Sequence, residues 1–413
     1  MAGTSDARAL LGQRDFLVYL VSRGLGVLGT VAQSVTMGWQ VYDLARAERG
    51  VAESAFFVGL LGLATFLPLF FLALPAGVLA DRASRRAILM ACFAGEALCA
   101  GALLVAAASG ALTTGVLIGV AFAFGIARAF RAPAGVALAP MLVPRHLLKR
   151  AIAWNSLVFQ AATIAGPALA GALVGRWSSA HAYGVALALY LVPIAGLSAI
   201  RQPTRPEATG GSRLEAVREG LAYLRRERVV LGAISLDLFA VLLGGATALL
   251  PVFARDLLHV GPEGFGWLRS APAIGALAVA TVLAAHPIQR RAGAWMFGGV
   301  ALFGAATIVF GLSRSFPLSL AALALLGGAD MVSVYVRQTL IQVVAPDAMR
   351  GRVAAVSFLF IGASNELGEF ESGVTARLFG PVGAAVFGGA ASLAVTGLWM
   401  RLFPELRRVD RLD

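Results

Sequence analysis

Lysine is almost missing from this chain: Lys149 is the single one in 413 residues. Charge of any kind is scarce, at 14% of residues, where a soluble domain carries about a quarter. Cysteine is limited to Cys92 and Cys99, and the four histidines, His146, His181, His259 and His286, are scattered. These shortages exclude several chemistries. With no lysine in a glycine-rich loop there is no G-x-x-x-x-G-K-[ST] phosphate cradle, so ATP is not the expected fuel. No Cys or His spacing suits zinc, no G-x-S-x-G elbow is present, and neither metal nor cofactor is expected. Cys92 and Cys99 stand seven residues apart on one expected helix. That is roughly 10 Å along its axis, too far for a disulfide between them.

What the chain has instead is apolar length. Hydrophobic residues make up 59% of it and mean hydropathy is +0.81. They arrive in blocks that reach the roughly 20 residues a helix needs to cross a bilayer core. The expected spans are 16–43, 54–80, 87–109, 112–143, 151–175, 182–200, 229–253, 264–285, 294–313, 316–344, 353–378 and 382–403. A transmembrane barrel would need short alternating segments, and these blocks are continuous. The fold class expected is therefore all-α and integral to the membrane, with twelve transmembrane helices.

The net charge of +12 suggests nucleic acid until its distribution is considered. Alternate loops hold Arg82, Arg85 and Arg86; Arg145, Lys149 and Arg150; the arginines between Arg201 and Arg228; Arg290 and Arg291; Arg350 and Arg352. The opposite loops hold little beyond Arg46, Arg49, Arg176, Arg255 and Arg314, several with acidic neighbours. That asymmetry is the positive-inside pattern, and it puts both termini in the cytoplasm. The basic balance reports topology, and no nucleic acid is expected as a partner. The first apolar run is too long for a signal-peptide core and is expected to stay as a helix.

The longest polar stretch, 201–228, divides the chain into residues 1–200 and 229–413, six spans on each side. It opens with Pro and Gly and continues as "LEAVREGLAYLRR", whose apolar positions recur at helical spacing. A basic amphipathic helix at the cytoplasmic headgroup surface is expected there. The halves also repeat. "VPRHLLKRAIA" after span four corresponds to "APDAMRGRVAA" after span ten, with Pro144 matching Pro346 and Arg150 matching Arg352. Two six-helix halves related by an axis along the membrane normal account for this.

"GVLADRASRR", 77–86, joins spans two and three. Its arginines would anchor helix ends, but Gly77 and Asp81 need more. A glycine permits close helix approach, and an aspartate entering a helix complements its positive end. The stretch resembles the signature of the major facilitator superfamily, through Gly77, Leu79, Ala80, Asp81, Arg82, Arg85 and Arg86, with Ser84 where that family usually has glycine. The resemblance implies a gate: the motif latches the ends of the two halves. "AGPALAGAL" on span five is similar to the superfamily's exporter signature through Gly166, Pro167 and Gly171, and its plain alternative is a kinked packing helix. "WQVYDL", "REGLAYLRRERVV" and "APDAMRGRVAAVS" resemble the subgroup of bacterial drug and siderophore exporters that includes the enterobactin exporter.

Charges at bilayer depth are costly and are usually kept for function. Those expected mid-span are Arg23, Glu96, Arg128, Arg131, Asp237, Asp330, Arg337, Glu366, Glu369 and Glu371. The resemblance implies that spans one, four, seven and ten line the transport cavity, which places Arg23, Arg128, Arg131, Asp237, Asp330 and Arg337 there and Glu96 outside it. "RAPAG" at Arg131 resembles the superfamily's fourth-helix motif, with Ala134 where that motif has Gln. Arg131 either switches a carboxylate partner or forms a fixed ion pair. Glu366 and Glu369 share a helix face. Either one of them carries a proton, or both are held as struts by arginines such as Arg128 or Arg337.

Together these features lead to a monomeric secondary transporter in a bacterial inner membrane, not an enzyme. Its expected partners are a small-molecule substrate, protons and the lipid bilayer, and its expected action is proton-coupled export as an antiporter. A proton-coupled importer is the alternative, and a membrane-embedded enzyme or non-transporting scaffold stands further off.

Overall fold

The computed structural model describes residues 10, 12–204 and 213–411. Residues 205–212, the Pro- and Gly-rich part of the linker, lie outside the described residues. Span one is the helix Arg14–Glu48, span two Val51–Arg82, span three Arg85–Ala108 and span four Thr114–Leu138. Span five is Leu148–Arg176 and span six Ser179–Ser198. Span seven runs from Arg228 to Gly244, passes through a 3₁₀ turn at Ala246–Leu249, and ends in a π turn at Phe253–Leu257. Spans eight, nine and ten are Gly261–Ala285, Ala292–Leu312 and Phe316–Val344.

Among the described residues, eleven helices are long and apolar enough to cross a membrane, one fewer than the expected spans. Spans eleven and twelve account for the difference, because they run together as Asp347–Leu402. The break within them is one residue. Gly380 sits at φ 74°, a left-handed backbone that costs other residues energy, and Pro381 follows without an N–H to continue the ladder. The chain thus turns where the sequence separates 353–378 from 382–403. Helix starts carry their own caps: Thr113 accepts from Val116 N at 3.2 Å, and Ser178 caps span six through His181 N.

The chain forms two compact units, one of Met1–Gln40 with Ala64–Gly210, the other of Val41–Leu63 with Gly211–Asp413. The hairpin joining spans one and two therefore packs with the second unit. In the first unit, Phe16, Tyr19, Phe93 and Tyr190 belong to one buried apolar cluster. A Cβ on Gly26 would lie 2.3 Å from the Phe93 ring, so only glycine lets span one rest there. In the second unit, a Cβ on Gly59 would lie 2.9 Å from the Gly373 Cα, a direct backbone approach of the hairpin to span eleven.

The linker helix, Arg213–Arg226, packs part of its apolar face against protein. Leu224 packs in a cluster with Ile234, Ile341, Val353 and Val356. Tyr223 OH donates to Val344 O at 3.2 Å, and a Cβ on Gly220 would meet the Arg352 carbonyl at 2.9 Å. Glu219 pairs with Arg352 at 2.5 Å. Burial in the fold, with an acid placed among the arginines, accounts for part of the amphipathic pattern that the sequence suggested for a membrane surface.

The internal repeat is visible in the backbone. Pro144 and Pro346 precede their helices with nearly the same dihedrals, φ −60°, ψ 151° and φ −55°, ψ 148°. A second correspondence lies where each half ends. After span six, Thr204 O accepts from Arg85 N at the start of span three; after span twelve, Asp410 O accepts from Ala292 N at the start of span nine. Each half closes by covering the free N–H groups of its own third helix.

Candidate functional site

The motif between spans two and three is built differently from its sequence expectation. Asp81 lies in the last turn of span two, which ends at Arg82, and the N-cap position of the next helix falls to another residue. That residue is Ser84: its Oγ faces Ala87 N at 3.4 Å and lies 2.8 Å from the Thr204 hydroxyl. The residue that departs from the family signature thus has a bonding role in this chain. Gly77 is buried, and Arg82 exposed. Arg85 donates to Ala137 O near the end of span four at 2.6 Å, and Arg86 donates to Ile200 O just beyond span six. Both guanidiniums satisfy carbonyls at the negative ends of helices in their own unit.

Span five carries Gly166, Pro167 and Gly171, all buried. A Cβ on Gly166 would sit 2.7 Å from Val31 of span one, so this glycine sets how closely the two helices approach. The polar residues of span one are likewise held. Gln33 accepts from Tyr190 OH at 2.9 Å, and Gln40 from Tyr183 OH at 2.8 Å. Arg23 lies over the Phe159 ring at 5.6 Å and donates to Tyr19 OH at 3.4 Å. Tyr19 OH in turn donates to Gly135 O of the "RAPAG" stretch at 2.7 Å.

The carboxylate partner of Arg131 is Glu96 of span three, the acid that the sequence placed outside the cavity. Arg131 Nε lies 2.9 Å from Glu96 Oε1, and Glu96 is fully buried. Thr30 Oγ1 lies 3.0 Å from the other carboxylate oxygen and 2.8 Å from Gly26 O, so its one hydrogen is shared between two acceptors. Arg128, placed over Phe124 at 5.9 Å, acts on Glu96 from further away. Four helices of the first unit meet through these polar contacts: spans one, three and four around Glu96, and span six through Tyr190.

The second unit gathers a different set. Arg337 of span ten is 1% exposed and pairs with Asp237 of span seven, itself 5% exposed. Ser333 donates to Asp237 Oδ1 at 3.2 Å. Asp330, half-buried one turn further along, is within electrostatic reach of both Asp237 and Arg337. Asp330, Ser333 and Arg337 are spaced i, i+3, i+7, one face of span ten.

Glu369 is paired by neither Arg128 nor Arg337. Its partner is Arg269 of span eight, at 2.9 Å, and Thr247 lies 3.5 Å away. The sequence reading passed over Arg269, although a lone arginine in "WLRSAP" inside an apolar run was a readable signal. Glu366 and Arg128 are also engaged. The hairpin joining spans one and two brings a third group. Arg46 pairs with Asp256 at 3.1 Å, Tyr42 OH donates to the same carboxylate, and Arg255 pairs with Asp43. Tyr42 and Asp43 belong to "WQVYDL", whose later residues, like the other two stretches that suggested a subgroup, lie in the second unit, while its Gln40 lies in the first. Among the described residues no cluster of His, Cys, Asp and Glu is arranged to hold a metal ion.

Comparison with known proteins matches residues 6–413 to a family model described as "Transmembrane secretion effector". The multidrug efflux pump Tap of Mycobacterium tuberculosis is 28% identical over 364 residues, covering 84% of this chain and 85% of the relative. The enterobactin exporter EntS of Citrobacter koseri is 27% identical over 370 residues, covering 87% and 86%. The fold is shared with solved transporters. A D-xylose–proton symporter superposes with a TM-score of 0.72 at 13% identity, over 95% of this chain and 98% of that one. A bacterial homologue of the lysosomal transporter Spinster gives 0.72 at 15% identity, over 96% of each chain.

Proposed function

The chain belongs to the transmembrane secretion effector family of the major facilitator superfamily, and from that premise we propose that it is a proton-coupled exporter of small drug-like or siderophore-like molecules. It is a multi-pass membrane protein. The reading adds that it acts by alternating access, as an antiporter and a monomer in a bacterial inner membrane, with both termini in the cytoplasm. Export is supported by the two relatives named as an efflux pump and an exporter, each matched along most of its length. The observation that carries the coupling is the retention of buried carboxylate–guanidinium groups on spans three, four, seven and ten. Such groups are expensive at bilayer depth and are kept where charge must move or be matched.

Within this reading, residues 1–200 and 229–413 are the two halves that rock, and 201–228 is the tether between them. Gly77, Asp81, Arg82, Arg85 and Arg86 form the gate, with Asp81 as the residue whose contacts change. Gly166, Pro167 and Gly171 set the packing of span five against span one. Arg23, Arg128, Arg131, Asp237, Asp330 and Arg337 are the charges offered to substrate and proton, with Glu366 and Glu369 beside them.

Cells making the protein should retain less ethidium than vector controls, and a protonophore should remove the difference. Faster ethidium entry with the same proton dependence would favour the importer, and chemical alteration of the solute would favour an enzyme. Asp81→Asn should leave the amount of protein in the membrane unchanged while efflux falls sharply. Wild-type efflux in that variant removes Asp81 from gating.

A further inference from the structure

The second unit places two carboxylates around one guanidinium at a depth where charge must balance. Asp237 and Arg337 are the charged groups of like and opposite sign that surround Asp330, Asp237 facing it from span seven and Arg337 from its own span. If all three were ionised the cluster would carry one uncompensated negative charge beside a side chain that is 1% exposed. One proton removes that charge, and the unequal exposure of the acids tells where it enters.

We propose that Asp330 is the exchangeable proton site of this transporter, with Asp237 as the acid it competes with for Arg337; the proposal rests on the reading of the chain as a proton-coupled exporter. Asp237 is 5% exposed and holds both Arg337 and the Ser333 hydroxyl, so it is committed to its partners. Asp330 is half-buried, and among the described residues no ion pair joins it to a guanidinium. Arg337 also has a donor in reserve, since its buried Nε has no hydrogen-bond partner. When the Asp330 O–H bond breaks, the proton leaves to water and the electron pair stays on the carboxylate. Arg337 then turns its spare donors toward Asp330 and loosens its hold on Asp237, which shifts span ten against span seven. Reprotonation of Asp330 reverses each step. Ser333, bonded to Asp237 and lying between Asp330 and Arg337 along the same face, is a positioning residue for that exchange.

The other buried acids are placed less favourably for this task. Glu96 is fully buried between Arg131 and Thr30, and Glu369 is paired one-to-one with Arg269. Neither stands as a second acid on a guanidinium already committed to another carboxylate.

Two measurements on the purified full-length protein test the assignment. Infrared difference spectra between acid and neutral pH, without substrate, should contain a protonated-carboxyl band that is lost in Asp330→Asn and retained in Glu96→Gln. In proteoliposomes, a pH gradient should drive uphill ethidium accumulation by the wild type. Asp330→Asn should lose that accumulation while still equilibrating ethidium down its gradient, and its melting temperature should not fall. Gradient-driven accumulation at the wild-type level in Asp330→Asn, or an unchanged infrared band, overturns the proposal. The spectroscopic arm decides the proton site whether or not ethidium is carried, whereas a wild type that moves ethidium without using the gradient overturns the coupled-exporter reading by itself.

Discussion

The two units bury differently matched charges. In the first, one acid meets one base: Glu96 touches Arg131, and Arg128, which acts on it from further away, is engaged by other contacts. In the second, one base is outnumbered: Arg337 holds Asp237 while Asp330 lies within reach. Both sit among apolar helices, and both use a hydroxyl, Thr30 or Ser333, to occupy a spare carboxylate lone pair. The difference is what a proton can do in each place. A matched pair gains nothing from a further positive charge, whereas a cluster rich in acid is neutralised by one. The comparison separates a pair suited to holding helices together from a set suited to changing state.

The largest expected effect breaks the first unit at its pair. Arg131→Ala leaves Glu96 without its contact cation in a fully buried position, at a cost of about 3–5 kcal/mol by analogy with soluble proteins. Thermal unfolding in detergent should show a large fall, and a variant as stable as the wild type would mean that Arg128 alone suffices. Next is the approach of the hairpin to span eleven. Gly373→Leu forces a side chain where the Gly59 Cα would lie 2.8 Å from even a Cβ, and overpacking of this kind costs about 1–3 kcal/mol. Lower melting temperature with the buried ion clusters untouched would show that backbone contact matters beside charge. A comparable fall is not expected from removing one acid of the second unit. Asp237→Asn should cost less than Arg131→Ala, because Asp330 remains as a substitute partner for Arg337; equal losses measured side by side would erase the distinction between the units.

The smallest effects sharpen the comparison at its hydroxyls. Thr30→Val and Ser333→Ala should each destabilise by about 1 kcal/mol, the usual net worth of one hydrogen bond. Their transport phenotypes should differ. Ser333→Ala should weaken coupling between the pH gradient and ethidium flux, while Thr30→Val should change stability alone. Coupling ratios from proteoliposome flux check this, and identical ratios in both variants would remove Ser333 from a positioning role.

Much of this was legible in the order of residues. The apolar runs located every span, the gap between 353–378 and 382–403 fell on the turn at Gly380, and Pro144 and Pro346, which pointed to a repeat, share a backbone conformation. The charged residues inside the spans were also readable, because an arginine or carboxylate in an apolar run stands out by itself. Their partners were not. Helical spacing put Glu366 and Glu369 on one face, yet it could not say that Arg269 of span eight, rather than Arg128 or Arg337, meets Glu369. Arg131 and Glu96 are 35 positions apart, and nothing in that interval fixes which neighbour a guanidinium reaches.

The linker helix marks the same limit. Its amphipathic pattern required that one face be covered, and the sequence alone left headgroups as the expected cover. Only the folded chain brings Leu224, Ile341 and Val353 into one cluster, so that protein covers part of that face. Composition and periodicity determined which segments enter the bilayer, because transfer of each helix depends on residues that are local to it. Tertiary structure alone decided which buried charges oppose one another, because that depends on the neighbour each helix packs against, and in an apolar interior a shift of one neighbour changes a matched pair into an unmatched one.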